Sequence, residues 1–287
     1  MRFGFIRDHR DEFHITTMCR VLRVSRSGFH AWLRRPESPR AARHKRIMVD
    51  MRAISQRTRS SYGSPRMHAE LVDLGHEVGR HQVAQVMRNN GLRARRKKRF
   101  RTTTDSNHDR PIAPNLLCRN FSASAPNKVW VGDLTYIWTK EGWIYLDVLI
   151  DLFSRRVVGW SMSDSLHRGI ALSALAQARA LRCPPRGLIV HHDRGKQYAS
   201  KDYREMLRDM GAVASMSRKG DCWDNAVSES FNGSLKGEWV PELGYDTKQD
   251  GYEDVGNYID LFYNRERRHS TVGMVSPVAM EAMAGVR

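Results

Sequence analysis

Three carboxylates in this 287-residue sequence are spaced so that two strands and a helix could bring them to one place. Asp133 lies inside the apolar run Val129-Trp130-Val131-Gly132-Asp133-Leu134-Thr135-Tyr136-Ile137. Asp193 ends a second run, Leu188-Ile189-Val190-His191-His192-Asp193, and Glu229 follows on an expected helix after thirty-five residues, 194–228. Three carboxylates so placed can hold two divalent cations, which activate and stabilise the oxygens of an in-line phosphoryl displacement. Spacing alone proves little, because the chain has 31 acidic residues. The local chemistry narrows the choice. Both alternating faces around Asp133 are largely apolar, the pattern of a central strand buried on both sides. A carboxylate there is costly without partners or a metal. The plainer alternative is a buried Asp bonded to backbone.

Around Glu229, a rotation of about 100° per residue puts Asn225, Glu229, Asn232 and Lys236 on one stripe. Val227, Phe231 and Leu235 fall opposite, and Asp224 reads as the N-cap. The apolar stripe should pack on a core and the polar stripe should face a cleft. A lysine two turns beyond a carboxylate suits a site that binds metal and then phosphate. The alternative is a solvated face with an ordinary lysine.

These residues carry a resemblance. The segments His191-His192-Asp193-Arg194-Gly195-Lys196-Gln197-Tyr198, Ser215 through Ala226, Glu229-Ser230-Phe231 and Leu235-Lys236-Gly237-Glu238 resemble the catalytic core of bacterial insertion-sequence transposases. The group is the one with two overlapping reading frames and a retroviral-integrase-like core, and the chain resembles its downstream-frame product. Leu22 through Phe29, Tyr62-Gly63-Ser64-Pro65-Arg66 and Tyr263-Asn264-Arg265-Glu266-Arg267-Arg268-His269 extend the match almost end to end. His192 and Lys196 depart from it, since serines are expected at both positions. The resemblance implies an RNase H-like fold whose first and fourth strands are neighbours, which would join Asp133 to Asp193. It implies two magnesium (or manganese) ions held by Asp133, Asp193 and Glu229, 3′-end cleavage, and strand transfer by the released hydroxyl. The implied partners are double-stranded DNA at the element ends and target, further copies of the chain in a homo-oligomer on DNA, and the upstream-frame product as a frameshift fusion. A bacterial cytosolic location goes with this. The rival class is a non-catalytic DNA-binding repressor or inactive relic, and a sequence-blind RNase H-type nuclease is a further alternative.

Charge is distributed to match. Residues 1–125 hold 27 Lys+Arg and 10 Asp+Glu, a net +17, whereas residues 126–287 hold 21 of each and sum to zero. Such asymmetry points to a polyanion-binding half joined to a neutral catalytic half. Seven of the nine residues 93–101 are basic: Arg93, Arg95, Arg96, Lys97, Lys98, Arg99 and Arg101. With Lys236 and Arg267 they are the candidate DNA contacts, since neutralising phosphates drives most of such binding. No pair of the four cysteines has metal-finger spacing, and nothing in their placement suggests a disulfide framework. No signal-peptide or membrane-spanning pattern is seen.

The elements needed to position the carboxylates can be read from caps and periodicity. Helices are expected at 15–22 and 28–35, the second capped by Ser25, and at 41–57. A better-punctuated helix-turn-helix follows, with 65–74 capped by Ser64 and stopped by Gly75, then 80–90 closed by Gly91. From 126 onward the expected order is strands 128–138, 143–150 and 156–162, helix 168–181, strand 187–193, helix 200–210 capped by Ser200, strand 212–216, and helices 224–238 and 249–264. The expected class is α/β: a mixed five-stranded RNase H-like core after all-α helix-turn-helix segments. The expected domains are 1–40, 41–92, a basic linker 93–125, and the core 126–287. Asp147 and Asp151 read as decoys, with Asp151 shaping a turn or ion pair.

Overall fold

The structure, a computed structural model, describes residues 2–36, 38–95, 111–167, 169–218 and 222–285. Arg96, Lys97, Lys98, Arg99 and Arg101 lie outside the described residues. The chain forms two compact units, Met1–Ala53 and Ile54–Arg287. The division between them falls within helix α4 (Pro39–Arg57), which begins beside the expected boundary at residue 40.

In the first unit α1 (Arg2–Asp8), α2 (Ile15–Val21) and α3 (Arg26–Arg34) precede α4. Ile6, Met18, Cys19 and Phe29 form its core, with Phe3 and Trp32 packed against it. Ser25 caps α3 as its sequence implies, its hydroxyl accepting from Gly28 N. Helix α1 has no counterpart among the expected elements.

The second unit begins with the helix-turn-helix pair α5 (Ser64–Asp73) and α6 (Arg80–Asn89). Ser64 is already helical, and Gly63 occupies the cap position without a side-chain bond. The pair closes on Met67, Leu71, Val83, Val86 and Met87, all buried. Gly75, at φ +84°, supplies the left-handed residue that ends α5.

The sheet comes next: β1 (Val129–Thr139), β2 (Gly142–Asp151), β3 (Val157–Ser163), β4 (Ile189–His192) and β5 (Val213–Met216), in the order β3-β2-β1-β4-β5. The β1–β2 and β2–β3 pairs are antiparallel, while β4 lies parallel to both β1 and β5. Helix α7 (Gly169–Arg182) covers β3 and β2, and α8 (Lys201–Asp209), capped by Ser200, packs on α7 and β5. The core on this face holds Trp130, Leu149, Leu175, Val190, Tyr198 and Tyr203.

Three differences from the sequence reading stand out. Residues 111–125, expected as linker, are packed on the sheet: Leu117 is buried, Leu116 N bonds Ser215 Oγ at 2.9 Å, and Arg155 Nη2 bonds Phe121 O at 2.8 Å. The long C-terminal helices are broken in type. The first is a 3-10 turn (Cys222–Asn225), then α9 (Ala226–Ser234), then a π turn (Leu235–Trp239). The second is α10 (Lys248–Asn257) with a π turn (Tyr258–Tyr263). A π turn adds a residue per turn, so it rotates the residues after it away from ideal α spacing. Lastly, α11 (Pro277–Met283) closes the chain, its Glu281 bonding Arg156, Arg182 and Ser154.

At Gly159 the sheet and α7 approach closely. A Cβ there would press on the Ala174 carbonyl oxygen and lie 2.7 Å from Ala178 Cβ. Gly159→Ala is expected to cost about 1–3 kcal/mol by overpacking, read as a lowered Tm. Gly4→Ala, where a Cβ meets nothing within 4 Å, is the control and should not lower it.

Candidate active site

The site is built on one parallel pairing. Val129, Trp130 and Val131 of β1 face Ile189, Val190 and His191 of β4. Asp133 and Asp193 keep the same offset two residues further on, so both carboxylates arise at the same end of two adjacent strands. The pairing stops after Val131 and His191. Beyond it Gly132 O accepts from Asn225 Nδ2 at 3.2 Å, tying the start of α9 to β1. Gly132 also has to be glycine: a Cβ would sit 2.5 Å from His192 Nδ1 and 2.9 Å from Leu149 Cδ2.

Each carboxylate is held differently. Asp133 is half-buried, and its Oδ2 accepts from Asn232 Nδ2 on α9 at 2.8 Å. Asp193 Oδ1 accepts from Gly195 N at 2.9 Å, a local turn that fixes the side chain. Glu229, in the first turn of α9, is exposed. Burial pushes the Asp133 carboxyl well above the usual range, and the charges of Asp193, Asp147 and Glu229 push it further. Partial desolvation of its carboxyl also raises Glu229, exposed though the residue is. Lys236 Nζ lies 4.8 Å from the Tyr136 ring centroid, and burial lowers its ammonium to about 8, with Asp133 opposing.

Beneath the site is a buried polar stack. The His192 ring stacks on Tyr198 with centroids 3.8 Å apart, and Tyr203 Oη lies 2.6 Å from His192 Nε2. Tyr198 donates to Asp147 Oδ2 at 2.6 Å. Burial holds His192 near 3 and raises Asp147 to about 8, so at neutral pH both are uncharged. Asp147 is thus a buried core acid on the strand beside Asp133, bonded through Oδ2 alone. Asp151 accepts from Asn127 N and Phe153 N and shapes the turn after β2.

Asp224 does not cap α9. Its buried carboxylate accepts from Arg218 N, Nε and Nη2, from Asn115 Nδ2 and from Arg119 Nε. Arg218's side-chain bonds, chiefly, hold it far below the usual range. It therefore pins the segment before α9 to residues 115–119.

The candidate DNA contacts divide sharply. Arg93 is exposed. Arg95 is turned inward and donates to the Glu238, Trp239 and Val240 carbonyls at 3.0–3.3 Å. Arg267 is buried, its Nε and Nη2 gripping both Glu238 oxygens at 2.6 and 2.7 Å. Arg95 and Arg267 thus spend these donors inside the fold. Arg268 is likewise taken by Glu70 and Asp73, while Arg265 is exposed. Arg66 and Glu238 belong to the motifs that carry the resemblance, yet spacing assigned them no role.

Among the described residues, no three His, Cys, Asp or Glu side chains are grouped so that they could hold one metal ion between them. The donor chemistry fits hard divalent cations nonetheless. The three candidates offer only carboxylate oxygens, which suit magnesium or manganese. A cation would also relieve the mutual repulsion that raises Asp133.

An integrase core domain model matches residues 123–222, and a second of the same description matches 210–277. An HTH-like domain model matches 42–100. The chain is 43% identical over 283 residues to the transposase InsF for insertion sequence IS3A of Escherichia coli strain K12, covering 98% of each. It is 42% identical over 262 residues to an insertion element IS600 uncharacterized 31 kDa protein of Shigella sonnei, covering 91% and 96%. The HTLV-2 integrase catalytic core domain in complex with magnesium aligns with TM-score 0.41 and 21% identity, over 54% of this chain and 96% of that one. The sheet order, the helices on it and the preceding helix-turn-helix define an integrase-type core, the scaffold of polynucleotidyl transfer. The chain belongs to the insertion-sequence transposases of the IS3 family, and its activity is DNA transposition.

Asp147 has a measurable signature. Its folded pKa, about 8, lies above its ordinary 3.8. The folded state then holds a proton that the unfolded chain has lost, so stability falls as pH rises between those values. Asp147→Asn is expected to flatten that decline. Urea unfolding of both proteins from pH 5 to 9 in metal-free buffer checks it; parallel curves would contradict the assignment.

Proposed function

We propose that Asp133, Asp193 and Glu229 are the catalytic metal ligands of a DDE-type transposase that cuts the 3′ ends of its element and joins them to new DNA. The observation that carries this reading is the shared offset of Asp133 and Asp193 on paired parallel strands, with Glu229 among the charges felt by Asp133. Two magnesium or manganese ions, when bound there, would activate water and stabilise the attacking and leaving oxygens. The protein's own part is positional. Asn232 orients Asp133 through Oδ2, Gly195 N orients Asp193, and the Asp224 cluster anchors the segment that leads into α9. Lys236, close to Asp133 and backed by Tyr136, takes a phosphate beside the scissile bond. The 3′-hydroxyl released by cleavage is the nucleophile for transfer, so no covalent protein–DNA intermediate is required.

The basic half delivers the DNA. Helix α6 exposes Arg80, His81, Gln82, Gln85 and Arg88, a polar face suited to a groove, and Arg93 comes after it. The working enzyme acts in the bacterial cytosol as an oligomer on two ends, fused by frameshifting to the upstream product. No described helix is long and apolar enough to cross a membrane.

Replacing any one of Asp133, Asp193 or Glu229 by Ala is expected to reduce metal-dependent end cleavage by more than roughly 100-fold, the upper figure for losing a mere supporting group. End binding should persist. Normal cutting by Glu229→Ala in magnesium overturns the assignment. A wild-type chain that binds ends without cutting under any metal supports the repressor reading.

Binding of the whole chain to end duplex is expected to weaken by roughly 10³-fold or more between 50 and 200 mM salt, given six to ten phosphate contacts. A fragment starting at Ala125 should bind far more weakly. Equal affinity of fragment and whole chain would show that the N-terminal half is not the DNA-binding half.

A further inference from the structure

Three of the motifs that carry the family resemblance hold residues other than Lys236 with no role in the chemistry above, and the structure brings them into one buried junction. The first is Tyr62-Gly63-Ser64-Pro65-Arg66, which opens α5. The second is the turn Leu235-Lys236-Gly237-Glu238, which continues α9. The third is Tyr263 through His269. Glu238 is the hub: its Oε1 accepts from Arg66 Nη1 at 3.1 Å and Arg267 Nη2 at 2.7 Å, and its Oε2 from Arg267 Nε at 2.6 Å. Arg267 Nη2 also bonds Ser234 Oγ at the end of α9. Around the hub, Tyr62 Oη accepts from Arg268 N at 2.9 Å, and Arg268 grips Glu70 of α5 at 2.6 Å. Arg59 forks onto Asp254 at 2.7 and 2.9 Å and lies 3.9 Å from the Trp239 ring centroid. Arg95, just past α6, closes the assembly on the carbonyls of 238–240.

We infer that this junction is a ruler: it locks the DNA-reading helix pair α5–α6 to the helical run bearing Glu229 and Lys236, so that the bond cut is measured from the DNA sequence bound by α6. The inference rests on the proposed function and adds a positioning role for Arg66, Glu238 and Arg267.

Physical reasoning favours geometry over stability as the purpose. A buried ion pair stabilises little, because desolvation offsets its attraction, and apolar replacements of equal volume often do as well. What the pair supplies is a single permitted arrangement. Arg267 presents a rigid planar fork to Glu238, and Arg66 adds a third direction. Sliding α5 along the helix would take Arg66 from Glu238 Oε1 and leave its guanidinium without this partner, while Arg267 kept the carboxylate in place. The hub also stands on the run that carries the site. Glu229, Lys236 and Glu238 succeed one another without a break from α9 into its π turn. Displacement of α5–α6 is therefore transmitted to the candidate ligand through backbone and not through a loop.

The test is nucleotide-resolution mapping of cut positions on duplex carrying the element end, using the form of the transposase that cuts ends, chain or frameshift fusion. Arg66→Ala is expected to bind the end with unchanged affinity. Its cutting should fall by about 100-fold, the cost of an ångström-scale misplacement, and the remaining cuts should spread over neighbouring phosphodiesters. Arg66→Lys should return cuts to the single position. If Arg66→Ala fails to fold, as judged by its thermal melt, Arg59→Ala is used at the same junction, where the side chain is more exposed. Wild-type rate at a single position in the folded variant overturns the ruler. Loss of end affinity in step with loss of cutting also overturns it, since the contact would then serve binding. A wild type that never cuts overturns the proposed function and this inference with it.

Discussion

The parallel register between β1 and β4 is the constraint on which the site depends. It sets two carboxylates side by side where the strands stop pairing, in surroundings that disfavour charge. Unrelieved, that arrangement is a liability of the fold. Everything nearby either tolerates it or tempers it. Asn232 donates to Asp133, Gly195 donates to Asp193, and Asn225 donates to the Gly132 carbonyl. The layer below is kept uncharged: burial leaves Asp147 protonated and His192 neutral, each bonded to a tyrosine. An ionised Asp147 would add a further negative charge beside the pair.

Much of this was legible in one dimension, and the reason is that strands and caps are local. The apolar runs around Asp133 and Asp193 became adjacent strands, Ser25 and Ser200 cap the helices they precede, and Gly75 ends α5. What failed was non-local or depended on backbone detail. Asp224 has the composition of an N-cap but is claimed by Arg218, Arg119 and Asn115 from other segments. The π turns at 235–239 and 258–263 keep an apolar pattern that reads as plain α-helix. Nothing in the linear pattern marks Gly132, whose missing side chain makes room for the His192 ring. That histidine stands where the family resemblance suggests a serine, and its ring is what the two tyrosines and the glycine accommodate.

The charge arithmetic needs the same correction. A net +17 in residues 1–125 treats every cation there as available to phosphate. The structure uses several of them internally. Arg57 pairs with Glu70, Arg59 with Asp254, Arg66 with Glu238, and Arg95 is occupied by three carbonyls. Arg119 is held by Asp224. Three of these pairings, those of Arg59, Arg66 and Arg119, set a cation of the basic half against an acid of the neutral half. The sum over each half was right, but the halves are not independent in space. Arg80 and Arg88 on the outer face of α6, and Arg93 after it, are exposed.

This division between inward and outward arginines also explains why the motif at 263–269 misleads. A run of Arg, Glu, Arg, Arg and His looks like a solvated basic turn or a phosphate grip. In three dimensions it is sorted by orientation: Arg265 and Glu266 face outward, while Arg267 and His269 are buried and Arg268 bridges to α5. His269 sits edge-on to Tyr263, 4.6 Å between centroids, and is held neutral by burial and by Arg267. Buried arginine is costly unless both its charge and its hydrogen-bond donors are met, and Glu238 with Ser234 meets them. Glu238 is therefore constrained by a partner that cannot give up its charge. The helical run that carries it has correspondingly little freedom to move apart from the helix-turn-helix module.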